Sequence, residues 1–294
     1  MRHVPANASA RGAFSLLELS IVLIILGMLL GAIISGESIM QAQKLRTIGA
    51  EAAQYTVAMA QFQQKYGYLA GDFPKATMVW GTADQSAISG NCAAPDTTPT
   101  YNPAGSIAAA VSNNATCNGD GNGNLNGPTN HETYRAWSQL VAAGLMHAPS
   151  SGTNYNGISN GTSSWATIGG NVPMSSANSA AGYAWMAGPN VVNNSISADT
   201  TYFDGDYSNA LIFGSNSDTT KPGVGMGTPM LTPTDMRDLD TKSDDGNGST
   251  GTIRSWKSTS ALAPNCLTGT AYQLSQTAVS CTPIFLNNFK VQKQ

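Results

Sequence analysis

Charge is scarce in this sequence: Lys, Arg, Asp and Glu together make up 11% of 294 residues. The basic residues are the fewer, 14 against 17 acidic, and they form no patch or stripe. Phosphate neutralisation needs such a patch, so nucleic acid is excluded as a partner. Cysteine is limited to Cys92, Cys117, Cys266 and Cys281, with no C-x-x-C spacing among them. That pattern argues against a zinc site and for disulfides made in an oxidising compartment. Of the three possible connectivities, the two sequence-local ones are expected, Cys92 with Cys117 and Cys266 with Cys281. Histidine is nearly absent, with only His3, His131 and His147. What fills the space is Gly, Asn, Ser, Thr and Ala, crowded after residue 80, a composition typical of exported surface proteins.

The N-terminus breaks this pattern. Residues 1 to 13, MRHVPANASARGA, are short, basic and end in small residues, which reads as a leader. Without them the chain holds 12 basic and 17 acidic residues. The stretch GAFSLLELSIVLIILGMLLGAII, residues 12 to 34, then carries one charge, Glu18. No A-x-A-like cleavage site follows it, and the run from Phe14 to Ser35 matches the roughly 20 residues that cross a bilayer as a helix. The chain continues without a helix stop. Leu45, Ile48, Ala52, Tyr55, Met59, Phe62 and Tyr66 alternate spacings of three and four, one face of an amphipathic helix expected to pack on a globular domain. Gly67, Gly71 and Pro74 end it, so the pattern predicts one helix from Phe14 to Tyr66, about 80 Å long.

A lone carboxylate at the head of an apolar helix wants a partner, since an ionised side chain in hydrocarbon costs at least about 2.5 kcal/mol. One account places Glu18 at the membrane interface, complementing the positive end of the helix dipole. The other frees an amino group by cutting the leader just before Phe14, and pairs Glu18 of one subunit with the amino group of its neighbour inside a dry helix bundle. The segment G-A-F-S-L-L-E-L-S-I-V-L-I-I-L-G closely resembles the processing site and first helix of type IV prepilins and type II secretion pseudopilins. The resemblance implies cleavage by a membrane prepilin peptidase at the cytoplasmic face, N-methylation of the new first residue, and assembly guided by a Glu at mature position five. Cutting after Ala13 puts Phe14 first and Glu18 fifth; cutting after Gly12 puts Glu18 sixth. The first register is preferred, with N-methylation on Phe14, although the family usually has Gly before the cut. It further implies other pilin or pseudopilin subunits and an inner-membrane assembly platform with its cytoplasmic ATPase as partners. The chain would sit in the inner membrane as a single-pass protein and then enter a periplasmic pseudopilus or an extracellular pilus. QKYGYLAGDFPKATMVWG (64 to 81) and TPTDMRDLDTKSDDGNGSTG (232 to 251) resemble large pilin-like proteins with the same head.

Residues 67 to 294 read as one globular head. HETYRAWSQLVAAGLM (131 to 146) sets Tyr134, Trp137, Leu140, Val141 and Leu145 on one helical face, with Thr129 and Glu132 as a capping box and Gly144 as the stop. A shorter helix is expected from Pro233, capped by Thr232 with Asp235 three residues on. YAWMA (183 to 187), ALIFG (210 to 214), TIRSW (252 to 256), AYQLS (271 to 275) and PIFLNNF (283 to 289) read as short strands. The expected fold is therefore α+β and pilin-like: leader 1–13, membrane or filament-core helix 14–35, its amphipathic half 36–66, and a head 67–294. In that head an antiparallel sheet packs on the helix, with long loops at 82–128 and 146–180.

Candidate sites are few. In NGDGNGNLNG (118 to 127), Asn118 as first position with Asp120, Asn122 and Asn124 are spaced as alternate oxygen ligands of a calcium loop, Gly123 allows its turn and Leu125 fits the eighth position. The twelfth position is Thr129 where a bidentate Glu is required, so the expectation is an Asn/Gly turn, or at most weak calcium binding; no other cofactor is implied. Asp238, Asp240, Asp244 and Asp245 read as a solvated helix end. GISNG (157 to 161) matches an esterase elbow only formally, because it lies in a Ser/Asn/Gly loop, and GVGMG (223 to 227) lacks the helix a phosphate loop needs. The tryptophans are expected in the core. The reading is a filament subunit, minor or tip, and not an enzyme; a tip adhesin on the same stalk, or a membrane-anchored hydrolase, are the alternatives.

Overall fold

The computed structural model describes residues 16–81, 116–125, 132–149, 155, 166–187, 209–215, 226–256, 265–287 and 289. Two compact units divide the chain, Met1–Lys44 and Leu45–Gln294. Helix α1, Leu16–Tyr66, runs through both without interruption. Gly12, Ala13, Phe14, Cys92, Thr129, His131, the GISNG segment and Trp165 lie outside the described residues.

In the first unit every described side chain from Leu16 to Ile33 is exposed. The helix there is long and apolar enough to cross a membrane. An exposed apolar helix of this length has the length and composition of a segment that lipid or other protein can cover.

The second unit has a conventional core. The α1 stripe turns inward: Leu45, Ile48, Ala52, Tyr55, Met59 and Phe62 are buried and Tyr66 is half-buried. After it come α2, Ala76–Trp80, and α3, Glu132–Ala142. Residues 132 to 140 are buried on all sides, more completely than a one-faced amphipathic pattern predicts. The α3 helix ends in a Schellman motif, in which Leu145 N–H reaches Leu140 O (3.0 Å) and Gly144 N–H reaches Val141 O (2.9 Å). Gly144 sits at φ +74, which is why the stop must be glycine.

Strands β1, Gly182–Ala187, and β2, Asn209–Gly214, follow. Helix α4, Pro233–Ser243, starts as its cap predicts, with Asp235 N–H donating to Thr232 Oγ1 at 3.1 Å. Then come β3 (Ile253–Arg254), β4 (Leu267–Thr268), β5 (Ala271–Tyr272) and β6 (Ile284–Asn287). The main sheet is antiparallel in the order β1-β2-β6-β3. Two strand expectations need correcting. The 271–275 segment is not in this sheet but forms a separate hairpin with β4, and only two residues of 252–256 are paired. Short apolar runs fix neither strand length nor partner, because pairing is chosen by contacts remote in sequence.

Aromatic rings knit the layers together. Tyr55 of α1 meets Trp137 of α3 at 5.1 Å and Tyr183 of β1 at 5.0 Å, both edge-on. Trp137 in turn lies 6.0 Å from Trp185. Trp137, Trp185 and Trp256 are fully buried, and Trp80 is half-buried against Phe62, Tyr66 and Phe73. The long loops are also less loop-like than their composition suggests: Thr116 to Gly119, Gly123 and Leu125 are buried, as are Asn171 to Pro173. Cys266 and Cys281 form a disulfide, and Cys117 is disulfide-bonded too.

Candidate functional site

Among the described residues, the exposed helix and a set of buried carboxylates carry chemistry. On the helix, Glu18 is the acidic residue of the first turn, where the unpaired N–H groups and the dipole favour a negative charge. It is exposed, as are the apolar residues that follow it. From there to Ile33 no other ionisable side chain occurs. A helix so arranged can bury itself in lipid or against like helices, with one fixed negative charge at its head.

In the head, Asp72, Asp120 and Glu132 each bring a carboxylate oxygen within 4.8 Å of the others, close enough to hold a metal ion. Asp72 follows the turn after α1, Asp120 lies in the 116–125 segment, and Glu132 opens α3. Asp72 is fully buried and binds the segment through its backbone: Oδ1 accepts from Asn122 N–H at 3.0 Å and Oδ2 from Gly123 N–H at 2.9 Å. Glu132 Oε1 accepts from Asp120 N–H at 3.1 Å. The approach is so close that a Cβ on Gly119 would sit 2.3 Å from the Asp72 backbone, so only glycine fits there. Burial pushes the Asp72 carboxyl up to about 8, with the Asp120 charge adding to the rise and the Gly123 and Gly121 N–H groups opposing it.

The three loop residues expected as calcium ligands turn mostly onto one another. Asp120 Oδ1 accepts from Asn122 N–H (2.9 Å) and its Oδ2 from Asn122 Nδ2 (2.6 Å), while Asn122 Oδ1 accepts from Asn124 N–H (2.7 Å). These are Asx turns, which satisfy the loop's oxygens with its own donors. The oxygens that converge with Asp120 come instead from Asp72 and Glu132, which lie outside the loop motif. Carboxylates so placed are the chemistry a hard cation such as calcium uses.

Asp240 corrects the reading of 238–245 as a solvated helix end. Its side chain is buried, Oδ2 accepting from the Tyr272 hydroxyl at 2.7 Å and Oδ1 from Gly246 N–H at 3.2 Å. Burial raises its carboxyl to about 6, against the pull of those two donors. Asp238 pairs with Arg237 at 2.7 Å, and Asp244 and Asp245 bind the following turn, Asp244 Oδ2 accepting from Ile253 N–H at 2.9 Å and Asp245 Oδ2 from Thr250 Oγ1 at 2.6 Å.

Glu51 escaped the sequence reading altogether. It flanks the α1 stripe and accepts from Ser175 Oγ (2.7 Å), Ser176 N–H (2.9 Å), Ser176 Oγ and the Tyr183 hydroxyl (2.8 Å). Four donors on one carboxylate tie α1, the 175–176 turn and β1 together. Glu51→Gln keeps the shape but sets an amide N–H against those donors, and is expected to lower the stability of the full chain by about 1–2 kcal/mol in urea unfolding. His147 is exposed beyond the end of α3, and of GVGMG only Met226, fully buried, and Gly227 are described. Set against protein-family models, curated proteins and solved structures, this chain matches none.

Proposed function

We propose that this chain is a pilin-like structural subunit, minor or tip, of a type IV pilus or a related secretion pseudopilus. The observation that carries the reading is the exposed apolar helix from Leu16 to Ile33, headed by Glu18 and continuous with the stripe buried in the head. The sequence around it, with Phe14 four residues before Glu18, resembles a prepilin processing site. In this mechanism the apolar half stores the subunit in the inner membrane, and a prepilin peptidase removes residues 1–13. The freed amino group of one subunit is then neutralised by Glu18 of its neighbour as the helices pack into a fibre core. A dry bundle rewards that pairing, because each charge alone would be costly there. The partners are the peptidase, the assembly platform and other pilin subunits, and the head is carried into the periplasm or onto the cell surface.

The test is mass spectrometry of the mature N-terminus, from membranes and from sheared surface material. The expected species begins with methylated Phe14. One beginning at Ala13 moves the cut by one residue, and an intact Met1 refutes the reading and leaves a membrane-anchored domain. Recovery in the sheared fraction distinguishes a surface fibre from a short periplasmic one.

A further inference from the structure

Among the described residues, two charged side chains without partners share a face of α1. Among the described residues Glu37 is exposed with no hydrogen bond or ion pair on its side chain, and so is Lys44. Most other described acids are engaged: Asp72, Glu132 and Asp240 are buried, Glu51 and Asp120 are hydrogen-bonded, and Asp238 is paired. Glu37 and Lys44 are seven residues apart on α1, two turns less about 20°, so they lie on the same side of the helix. Stepping back from Lys44 by alternating four and three residues traces one stripe to Leu16. All of its positions are exposed, and every one except Glu37 and Lys44 is apolar.

We propose that parallel copies of α1 pack along this stripe with a stagger of seven residues, Glu37 of one copy pairing with Lys44 of the next. The occupant of the stripe is a second copy of this chain, so the inference rests on the filament-subunit reading and adds a register to it. In-register packing would set Glu37 against Glu37 and Lys44 against Lys44. Sliding by three or four residues would face each charge with Ile33, Met40 or Thr47. A slide of seven replaces the two like-charge contacts with one Glu37–Lys44 pair, and keeps leucine against leucine, since Leu16, Leu23 and Leu30 repeat with the same period. Its axial offset is about 10.5 Å per subunit. Antiparallel packing would also match the charges, but it would lay 16–33 of one copy against 48–65 of the other, whose apolar stripe is buried in the head.

The register is read by cross-linking in membranes. No cysteine is free among the described residues, so introduced thiols report without background from them. Full-length Ile33→Cys and Met40→Cys chains are coexpressed and oxidised. The mixed pair is expected to link about fivefold faster than either variant alone. Glu37→Lys in both chains abolishes that preference, and adding Lys44→Glu restores it. Fastest linking between like cysteines, no linking in any combination, or a mixed preference untouched by Glu37→Lys each overturns the proposal. The readout needs only membrane-inserted chains, so a stagger found in chains with an intact Met1 would refute the filament reading alone, whereas a methylated Phe14 without the stagger would refute this inference alone.

Discussion

Chains carrying Glu18→Ala are expected to be cleaved and methylated like the wild type, yet to be about tenfold or more scarcer in sheared fibres. The two outcomes separate because they draw on different chemistry. In the proposed mechanism cleavage would act on the backbone around Ala13 and Phe14, before any subunit meets another. Incorporation would then bring an amino group into a dry bundle, where an uncompensated charge costs several kcal/mol, and a tenfold loss needs only about 1.4 kcal/mol of that. Glu18→Gln tests the point further: it restores hydrogen bonding without charge, and a fibre content near that of Glu18→Ala assigns the effect to charge. If Glu18→Ala reaches wild-type levels in fibres, the pairing mechanism fails, and Glu18 serves only to complement the helix dipole.

The second large effect is an unusual pH dependence of the head. Most proteins lose stability in acid because their carboxylates are held ionised by partners. Here two carboxyls are raised, Asp72 to about 8 and Asp240 to about 6, from an ordinary value of 3.8. The folded state therefore binds these protons more tightly than the unfolded chain does. Their contribution to stability is complete below about pH 4 and is lost as pH rises, through about 6 for Asp240 and about 8 for Asp72. Between pH 8.5 and pH 5 the fully buried Asp72 alone accounts for a gain on the order of 4 kcal/mol. Full-length protein in detergent with EDTA should thus melt on the order of 10 °C higher at pH 5 than at pH 8.5. The fully buried Trp137, Trp185 and Trp256 supply the fluorescence signal. Asp72→Asn carries a permanently neutral amide that can donate toward Asp120 as the protonated acid does, so its melting temperature should change far less over the same range. A wild-type curve that is flat or rises with pH would mean that Asp72 is ionised and stabilised, by the Asn122 and Gly123 N–H groups or by another source of positive charge.

How much of this was legible beforehand depends on the range of the interaction. The apolar run after Phe14, the stripe from Leu45 to Tyr66, the Thr232 cap and the Gly144 stop are all patterns within one or a few turns of chain, and the backbone geometry of a helix makes such patterns readable. The loop 118–127 was legible as a turn-former for the same reason, since Asn and Asp side chains bond two residues ahead. The carboxylates were not. Glu51 and Asp72 belong to no local pattern that the sequence offers, and Asp240 read as part of a solvated helix end.

The sequence by itself thus determined that a long helix with an apolar half and an amphipathic half leads an α+β head, and that one carboxylate stands at its start. Only the tertiary structure decided which other carboxylates are buried and what they hold. Asp72 meets Gly123, Asp240 meets Tyr272 and Glu51 meets Tyr183 across 32 to 132 residues of chain. The physical reason is that desolvation and hydrogen bonding are set by neighbours in space, and no local spacing encodes them.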